Sequence, residues 1–246
     1  VLGSAQLLLR MRGTTLLYWG GVGAGPSAAP VAEPYEPRRA DVLVLACPYD
    51  AGPYHFPSRA RTAAAVVAWV REVLDAGALP VLLARALGTA QELCRLLSGT
   101  GITVRAHRTV ARWNRLAREA GLELGPTPEL RKPLVGPAAT GTVVVAPLSA
   151  ARSATLDRLV PGARSALVSG SAVVEGEVAA RGAEVGFPLS RHADSRVLRR
   201  LVRETGASYA YLGPSHSARF EASLRRLGLG VTRFTAPRQT SQLLLF

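Results

Sequence analysis

Short, continuous apolar runs alternate along this chain with segments whose apolar residues recur at helical spacing. The runs at 41–46 (DVLVLA), 79–84 (LPVLLA) and 142–148 (TVVVAPL) are typical of strands buried in a parallel sheet. Residues 60–75 and 194–205 carry Val and Leu on one helical face and predict helices between such strands. This alternation predicts an α/β fold.

The charge of the chain is strongly positive. Its 30 Lys and Arg residues outnumber 17 Asp and Glu, for a formal net charge of +13, and Lys132 is the single lysine. A GC-rich coding bias would explain the choice of Arg over Lys, but it explains the excess of base over acid less well. The balance favours a polyanion partner, with nucleic acid first.

The apolar runs are too short for a membrane protein. None approaches the roughly 20 residues that a bilayer-spanning helix needs, and residues 1–21 lack the pattern of a secretory signal. We therefore expect a cytoplasmic protein with no membrane partner.

Eight segments, spread over nearly the whole chain, carry a family pattern. They are VLGSAQLLL (1–9), TLLYWGG (15–21), EPYEPRRADVLVLACPYD (33–50), YHFPSRA (54–60), PVLLARALGTAQEL (80–93), LVSGSA (167–172), GFPLSRHAD (186–194) and SYAYLG (208–213). In this order they resemble the β-CASP branch of the metallo-β-lactamase-fold nucleases. The similarity is greatest to the ligase-associated DNA exonucleases and the mRNA 3′-end-processing-factor-like exonucleases.

The resemblance implies a partial metallo-β-lactamase αββα sandwich with an inserted β-CASP α/β cap. Residues 1–57 and 143–235 would form the sandwich with an incomplete N-terminal half, residues 58–142 the cap, and residues 236–246 a flexible tail. Missing strands would leave an apolar sheet face or edge open. We therefore expect either a partner chain that completes the sandwich or poor solubility.

Nucleases of this family hydrolyse phosphodiesters with two zinc ions, which this sequence is poorly equipped to hold. The HxHxDH loop that supplies most ligands in the family does not occur here. By the resemblance, Gly21 takes the place of the bridging aspartate, Ala46 that of the first acid of the cap, and Pro214 that of the last histidine. Asp50 and His216 follow the last two of these positions by four and two residues.

His192 is the one intact member of the catalytic set that the resemblance implies, where it would act as a general acid or phosphate contact. We expect Asp194 to cap the helix that follows, a role that Ser190 could also fill. Losing a metal site removes both the nucleophile and the Lewis acid. We therefore expect an inactive member of a hydrolase family, with no cofactor, although residual activity stays open.

Arginines of the predicted cap are the candidate nucleic-acid contacts. Arginine matches phosphate with two hydrogen bonds, and an aromatic ring can stack on an unpaired base. The alternative is a solvated helix face with a half-buried tryptophan. The backbone N–H groups of the junction at 86–93 (ALGTAQEL) could also hold a phosphate. The candidate side chains are Arg59, Arg61, Arg85, Arg108, Arg112, Trp113 and Arg115.

The last five residues, QLLLF (242–246), resemble the QLxLF peptide with which bacterial repair and replication proteins bind the polymerase sliding clamp. Gln242 would form hydrogen bonds, while Leu243, Leu245 and Phe246 would fill an apolar pocket. The alternative is a C-terminal strand or a plug of the core.

Three functions remain open from the sequence. The first is a non-catalytic accessory factor that binds DNA or RNA in DNA repair or RNA processing. The second is a fragment of a zinc-dependent DNA or RNA exonuclease. The third is a nucleotide-binding α/β module.

Overall fold

The computed structural model describes residues 5–21, 23, 38–46, 48–50, 54–213 and 216–234. The strands in these ranges are β1 (Leu7–Met11), β2 (Thr14–Gly21), β3 (Val42–Ala46), β4 (Pro80–Ala84), β5 (Thr103–Ala106), β6 (Thr142–Pro147), β7 (Arg164–Val168), β8 (Val185–Phe187), β9 (Tyr209–Leu212) and β10 (Gly230–Arg233). The α-helices are α1 (Arg59–Asp75), α2 (Thr89–Ser98), α3 (Arg108–Glu119), α4 (Ala154–Leu159), α5 (Glu177–Ala180), α6 (Ser195–Thr205) and α7 (Ala218–Arg225).

These elements confirm the α/β class. The predicted helix at 60–75 corresponds to α1, and the predicted helix at 194–205 corresponds to α6. Asp194 caps α6 as expected, because its Oδ1 accepts the N–H groups of Arg196 and Val197, each at 3.0 Å. None of the helices in the described ranges has the length and apolar composition that a bilayer crossing requires.

The first sheet has the strand order β1-β2-β3-β9-β10. β1 pairs with β2 in an antiparallel hairpin, and the other pairs are parallel. Arg12 and Gly13 form the two-residue turn of the hairpin with φ values of 50° and 80°. Positive φ at both positions matches the twist of a tight hairpin, which is one reason for glycine there.

The second sheet has the order β5-β6-β4-β7-β8 and is parallel throughout. The predicted domain boundary between residues 142 and 143 therefore lies inside β6. Residues 143–187 supply three strands to the sheet that also contains β4 and β5, instead of joining the first sheet. Buried apolar strands of similar composition can pair in either sheet, so the local pattern did not fix this pairing.

Helices and loops cover the second sheet on both faces. Leu82 and Ala84 of β4 pack in one core with apolar residues of α1, α2 and α3. Val81 and Leu83 point to the opposite face and pack with residues of α4 and of the loop at 130–134. Successive side chains of β4 thus point to opposite faces of the sheet, which lies between two layers of helices and loops. Both faces of the strand are apolar because both are buried.

The first sheet has helices on one face. Leu17, Leu43 and Ala210 lie in one core with apolar residues of α6 and α7. The opposite face, called the open face below, has no helix against it among the described residues, and Leu9 and Met11 there are 51% and 74% exposed. Its members are Leu7, Leu9, Met11, Leu16, Tyr18, Val42, Val44, Tyr209, Tyr211 and Phe234.

Candidate nucleic-acid interface

The carboxyl ends of the parallel strands in the second sheet bring several predicted residues to one edge. Arg85 directly follows β4, Arg108 begins α3 just after β5, and His192 lies in the loop after β8. In an open parallel sheet, ligands bind outside the carboxyl ends of the strands. β4 and β5 are separated by β6 alone, so their loops begin about 10 Å apart.

Exposed arginines begin at this edge with Arg85 and Arg108 and continue along α3. Arg108, Arg112 and Arg115 recur at helical spacing on one face of α3, and all three are exposed. Arg115 makes a weak ion pair with Glu119, at 3.9 Å between two exposed side chains. Arg85, Arg108 and Arg112 pair with no acid among the described residues. The cationic edge, as we call it, consists of Arg85, Arg108, Arg112 and Arg115.

The other predicted contacts of the cap region lie in different settings. Arg61 is exposed on the first turn of α1, and Trp113 is half-buried on α3. Arg59 is buried, and the structure corrects its predicted role as a surface contact. Its guanidinium donates to the carboxylate of Glu92 and to the backbone oxygen of Ser190.

Glu92 is the centre of a buried ionic cluster between α1, α2 and the loop after β8. Its side chain is 3% exposed and accepts from Arg59 on one oxygen and from Arg191, at 3.4 Å, on the other. Burial lowers the pKa of Arg191, and the Glu92 carboxylate opposes that shift. The cluster fixes the loop that carries His192 against the helices of the second sheet.

His192 is held in position by its backbone. Its N–H donates to Ser190 Oγ at 3.0 Å, and the Ser190 hydroxyl donates to the His192 carbonyl oxygen at 2.9 Å. Ser190 therefore shapes this loop and does not cap α6. The ring atom Nδ1 of His192 is buried and has no hydrogen-bond partner among the described residues.

The ring of His192 lies in an environment that disfavours its charged form. Burial lowers its pKa, and the positive charges of Arg85 and Arg191 lower it further. The ring is therefore neutral at pH 7, and the positive charge of the site comes from the arginines.

Three aromatic residues before α1 complete the site beside His192. The Tyr49 ring lies 4.8 Å from Tyr54, 5.3 Å from Phe56 and 6.2 Å from the His192 ring, measured between ring centroids. Tyr49 packs directly on Gly170, where an added Cβ would lie 2.6 Å from the tyrosine Cζ, so the LVSGSA segment needs glycine there. Sequence reasoning missed these rings as site residues, although YHFPSRA was among the segments that carry the resemblance.

Tyr54 and Phe56 are both partly exposed, while Tyr49 is buried beneath them. Burial, followed by the proximity of Tyr49 and Glu177, raises the pKa of Tyr54, so its hydroxyl stays protonated as a hydrogen-bond donor. Partly exposed aromatic rings of this kind can stack on unpaired bases.

The junction between β4 and α2 is closed. Thr89 is 3% exposed, and the Gly88 N–H donates to Gln91 Oε1 at 2.6 Å. Gln91 Nε2 in turn donates to Asn114 Oδ1 at 2.8 Å. The Gly88, Ala90 and Glu92 N–H groups, which the sequence suggested for phosphate binding, therefore already have partners within this junction. The signal for this network was a Gln and an Asn on otherwise apolar helix faces.

Asp50 and His216, which follow the family's ligand positions along the chain, meet each other in the fold. Asp50 Oδ2 lies 2.9 Å from His216 Nδ1 and accepts the Ser217 N–H at 2.8 Å. The other ring nitrogen of His216 lies 3.1 Å from the Leu45 carbonyl oxygen, and Phe220 stacks on the ring. The His216 side chain is fully buried, so this pair joins β3 to α7 and is closed to a substrate.

The zinc ions that the resemblance implies do not fit the residues described. In those ranges, no group of three or more His, Cys, Asp or Glu residues is arranged to hold a metal ion. Among the described residues, no hydrogen bond or ion pair joins the His192 ring to an acid, and Asp50 and His216 bond to each other. Pro214 and the tail residues Gln242, Leu243, Leu245 and Phe246 lie outside the described residues.

No protein-family model matches the chain. The chain is similar to part of a probable DNA ligase of Opitutus terrae. The two are 29% identical over 232 residues, which is 93% of this chain but 22% of the ligase. The chain therefore spans less than a quarter of the length of that relative.

Proposed function

We propose that this chain is a degenerate β-CASP nuclease-like protein that binds nucleic acid without cutting it and serves as an accessory factor in DNA repair or RNA processing in the cytoplasm. The observation that carries the proposal is the cationic edge, which reaches His192 through Arg85, while Tyr54 and Phe56 pack on Tyr49 beside that histidine. Exposed guanidinium groups, three of them without an acidic partner among the described residues, attract a phosphate backbone, and partly exposed rings near His192 favour single strands with unpaired bases.

The similarity to a probable DNA ligase supports DNA over RNA as the partner. The similar region covers nearly all of this chain, so a role in DNA metabolism is consistent with the relation. A metallo-β-lactamase-like sandwich with a β-CASP cap remains the architecture that we propose for the complete assembly.

The absence of cleavage is proposed from the residues at the family's catalytic positions. Gly21 and Ala46 carry no ligating atoms, and the His216 ring is buried against Asp50. His192 remains as a neutral ring, and no acid among the described residues forms a hydrogen bond that would orient it. Removing one catalytic group often costs about 10³-fold in rate, so several losses together leave little activity.

A binding assay combined with a cleavage assay tests this proposal. Fluorescein-labelled single-stranded DNA, duplex DNA and single-stranded RNA of equal length would be titrated with the purified chain and then incubated with Zn²⁺ or Mn²⁺. We expect saturable binding, strongest for single-stranded DNA, and no products above those of the His192→Ala variant. Cleavage that His192→Ala abolishes would overturn the non-catalytic assignment and favour an exonuclease fragment.

A partner polypeptide is a second part of the proposal. The open face of the first sheet is an apolar and aromatic surface of the kind that packs on another sheet about 10 Å away. An exposed apolar surface of this extent is characteristic of an interface. We assign it to a second β-layer, supplied by a partner polypeptide that completes the sandwich.

The sliding clamp is a further proposed partner, through the peptide QLLLF at 242–246. A fluorescent peptide SQLLLF should bind the clamp saturably, and replacing Phe246 in the full chain should reduce co-purification with the clamp. Absence of saturable peptide binding, with co-purification unchanged in the Phe246→Ala variant, would remove the clamp from the proposal.

A further inference from the structure

A cavity of about 430 Å³ lies away from the cationic edge, on the other face of the second sheet. It lies over β4 and β7, between α4 and the turn that follows α5. Arg152, Asp157, Ser165, Arg181 and Gly182 are among its lining residues. The cationic edge is on the face covered by α2 and α3, so the two sites do not share a residue.

Two guanidinium groups face this cavity without acidic partners. Neither Arg152 nor Arg181 makes an ion pair or a side-chain hydrogen bond with a described residue. Asp157 lines the same cavity and likewise has no ion pair in the described ranges. The lining therefore carries two positive charges and one negative charge that do not neutralise one another by direct contact.

The backbone holds Arg152 in an unusual conformation. Its φ of 58° lies in the left-handed region, which non-glycine residues seldom occupy. The stem of its side chain crosses Gly182, where an added Cβ would lie 3.1 Å from Arg152 Cγ. A side chain at 182 would require the Arg152 stem to shift by a few tenths of an ångström. Strained residues of this kind occur preferentially at ligand sites, so the backbone of Arg152 is a second observation that favours a ligand in this cavity.

We propose that this cavity binds a small phosphate monoester that carries hydroxyl groups, such as a sugar phosphate. Arg152 and Arg181 would bind the phosphate, since guanidinium groups match its oxygens. Asp157 can only accept hydrogen bonds when ionised, so it fits a hydroxyl group of the ligand and disfavours a bare polyanion at that end. The volume falls in the range of roughly 300–1,000 Å³ that is typical of small-molecule sites.

Calorimetry with the full chain tests this inference. The probes are ribose 5-phosphate, ribose, and a single-stranded oligonucleotide with or without a 5′-phosphate. We expect saturable binding of ribose 5-phosphate and none of ribose. Arg181→Ala should weaken that binding about tenfold or more, as expected for the loss of a charged hydrogen bond.

Two further variants distinguish binding at this cavity from an effect of net charge and from an effect on folding. Arg158→Ala removes an exposed arginine of α4 that does not line the cavity, and it should change the affinity less than twofold. Arg152→Gly removes the side chain while keeping a residue that tolerates positive φ, so it should weaken binding and leave the melting temperature nearly unchanged.

Three outcomes would overturn the inference. They are no binding of ribose 5-phosphate to the wild-type chain, an equal loss in Arg158→Ala and Arg181→Ala, and Arg181-dependent binding of the 5′-phosphorylated oligonucleotide alone. The last would assign the cavity to the end of a nucleic-acid strand. Failure of the proposed function is distinguishable, because unphosphorylated oligonucleotide binding depends on the cationic edge and should be unchanged in Arg181→Ala.

Discussion

Asp50 and His216 form a hydrogen-bonded pair, with 2.9 Å between Oδ2 and Nδ1, although 165 positions lie between them in the sequence. Both are buried, and each also bonds to backbone groups at the junction of β3 and α7. A carboxylate and a histidine that satisfy each other in this way stabilise the fold and are withdrawn from metal binding.

Removing the histidine of this pair should destabilise the chain. His216→Ala leaves the buried Asp50 carboxylate without its side-chain partner, and we expect the free energy of unfolding to fall by about 3 kcal/mol in urea denaturation. His107→Ala is the matched control. That histidine accepts the Thr109 N–H at the start of α3, so its loss should cost about 1 kcal/mol. Equal losses in the two variants would contradict the role assigned to the Asp50–His216 pair.

Arg59 and Arg61 offer a sharper comparison, because both were predicted contacts and they lie two residues apart. Arg59→Ala leaves the buried Glu92 carboxylate poorly paired, so the free energy of unfolding should fall by about 3 kcal/mol. Arg61→Ala removes an exposed side chain and should change it by less than about 0.5 kcal/mol. Urea titrations of both variants measure the difference, and a stable Arg59→Ala variant would show that the buried cluster is unimportant for folding.

The pKa of His192 should depend on the charged residues near its ring. Its pKa should lie below 6.5, and Arg85→Ala should raise it, because removing a positive charge makes protonation easier. Two-dimensional NMR of the ring Cε1–H group across pH 4–8 measures both values, with Arg61→Ala as the control that leaves the pKa unchanged. A pKa that stays the same in Arg85→Ala would place Arg85 away from the ring.

The same shift links His192 to stability. The unfolded chain binds a proton on this ring near pH 6.5, whereas the folded chain binds it only at lower pH. The contribution of this ring to stability therefore falls as the pH decreases from 6.5 through the folded-state pKa. In the His192→Gln variant, that part of the acid dependence should disappear.

Local patterns were sufficient for the α/β class, for α1 and α6, and for the cap at Asp194, because each depends on neighbouring residues. They did not show which sheet β6 joins, since strand pairing depends on contacts distant in sequence. β1 was missed because an exposed strand of consecutive apolar residues lacks alternation, and β8 because it has only three residues.

The candidate site likewise has features that the sequence predicts and features that depend on contacts distant in sequence. The sequence named Arg108, Arg112 and Arg115 as candidate contacts, and the structure exposes all three at helical spacing on α3. Arg59 is buried and Arg61 is exposed. The sequence did not show this difference, because it gives no direct measure of burial for a single arginine. The Asp50–His216 pair was not anticipated. Asp50 lies four residues beyond the family's acid position, so the comparison by position counted that acid as lost. The loops that follow the strands nevertheless bring the Asp50 and His216 side chains together.

Lysine substitutions on the open face should weaken its apolar interactions with other molecules. Replacing Leu9 and Met11 by lysine places two charges on a surface that we assign to a partner sheet. We expect less binding of the dye ANS and less self-association in sedimentation velocity, with the melting temperature nearly unchanged because both side chains are exposed. A large loss of melting temperature would instead assign these residues to the core of this chain.

The salt dependence of single-stranded DNA binding tests the central claim most directly. Each phosphate contact adds roughly 0.7 to the slope of log affinity against log salt concentration. The triple variant Arg85→Ala, Arg108→Ala, Arg112→Ala should therefore lose about 2 from the magnitude of that slope. A control that replaces Arg71, Arg219 and Arg226, all exposed elsewhere on the chain, should keep the wild-type slope. If the two triple variants lose the same amount, or neither loses any, binding at the cationic edge is contradicted.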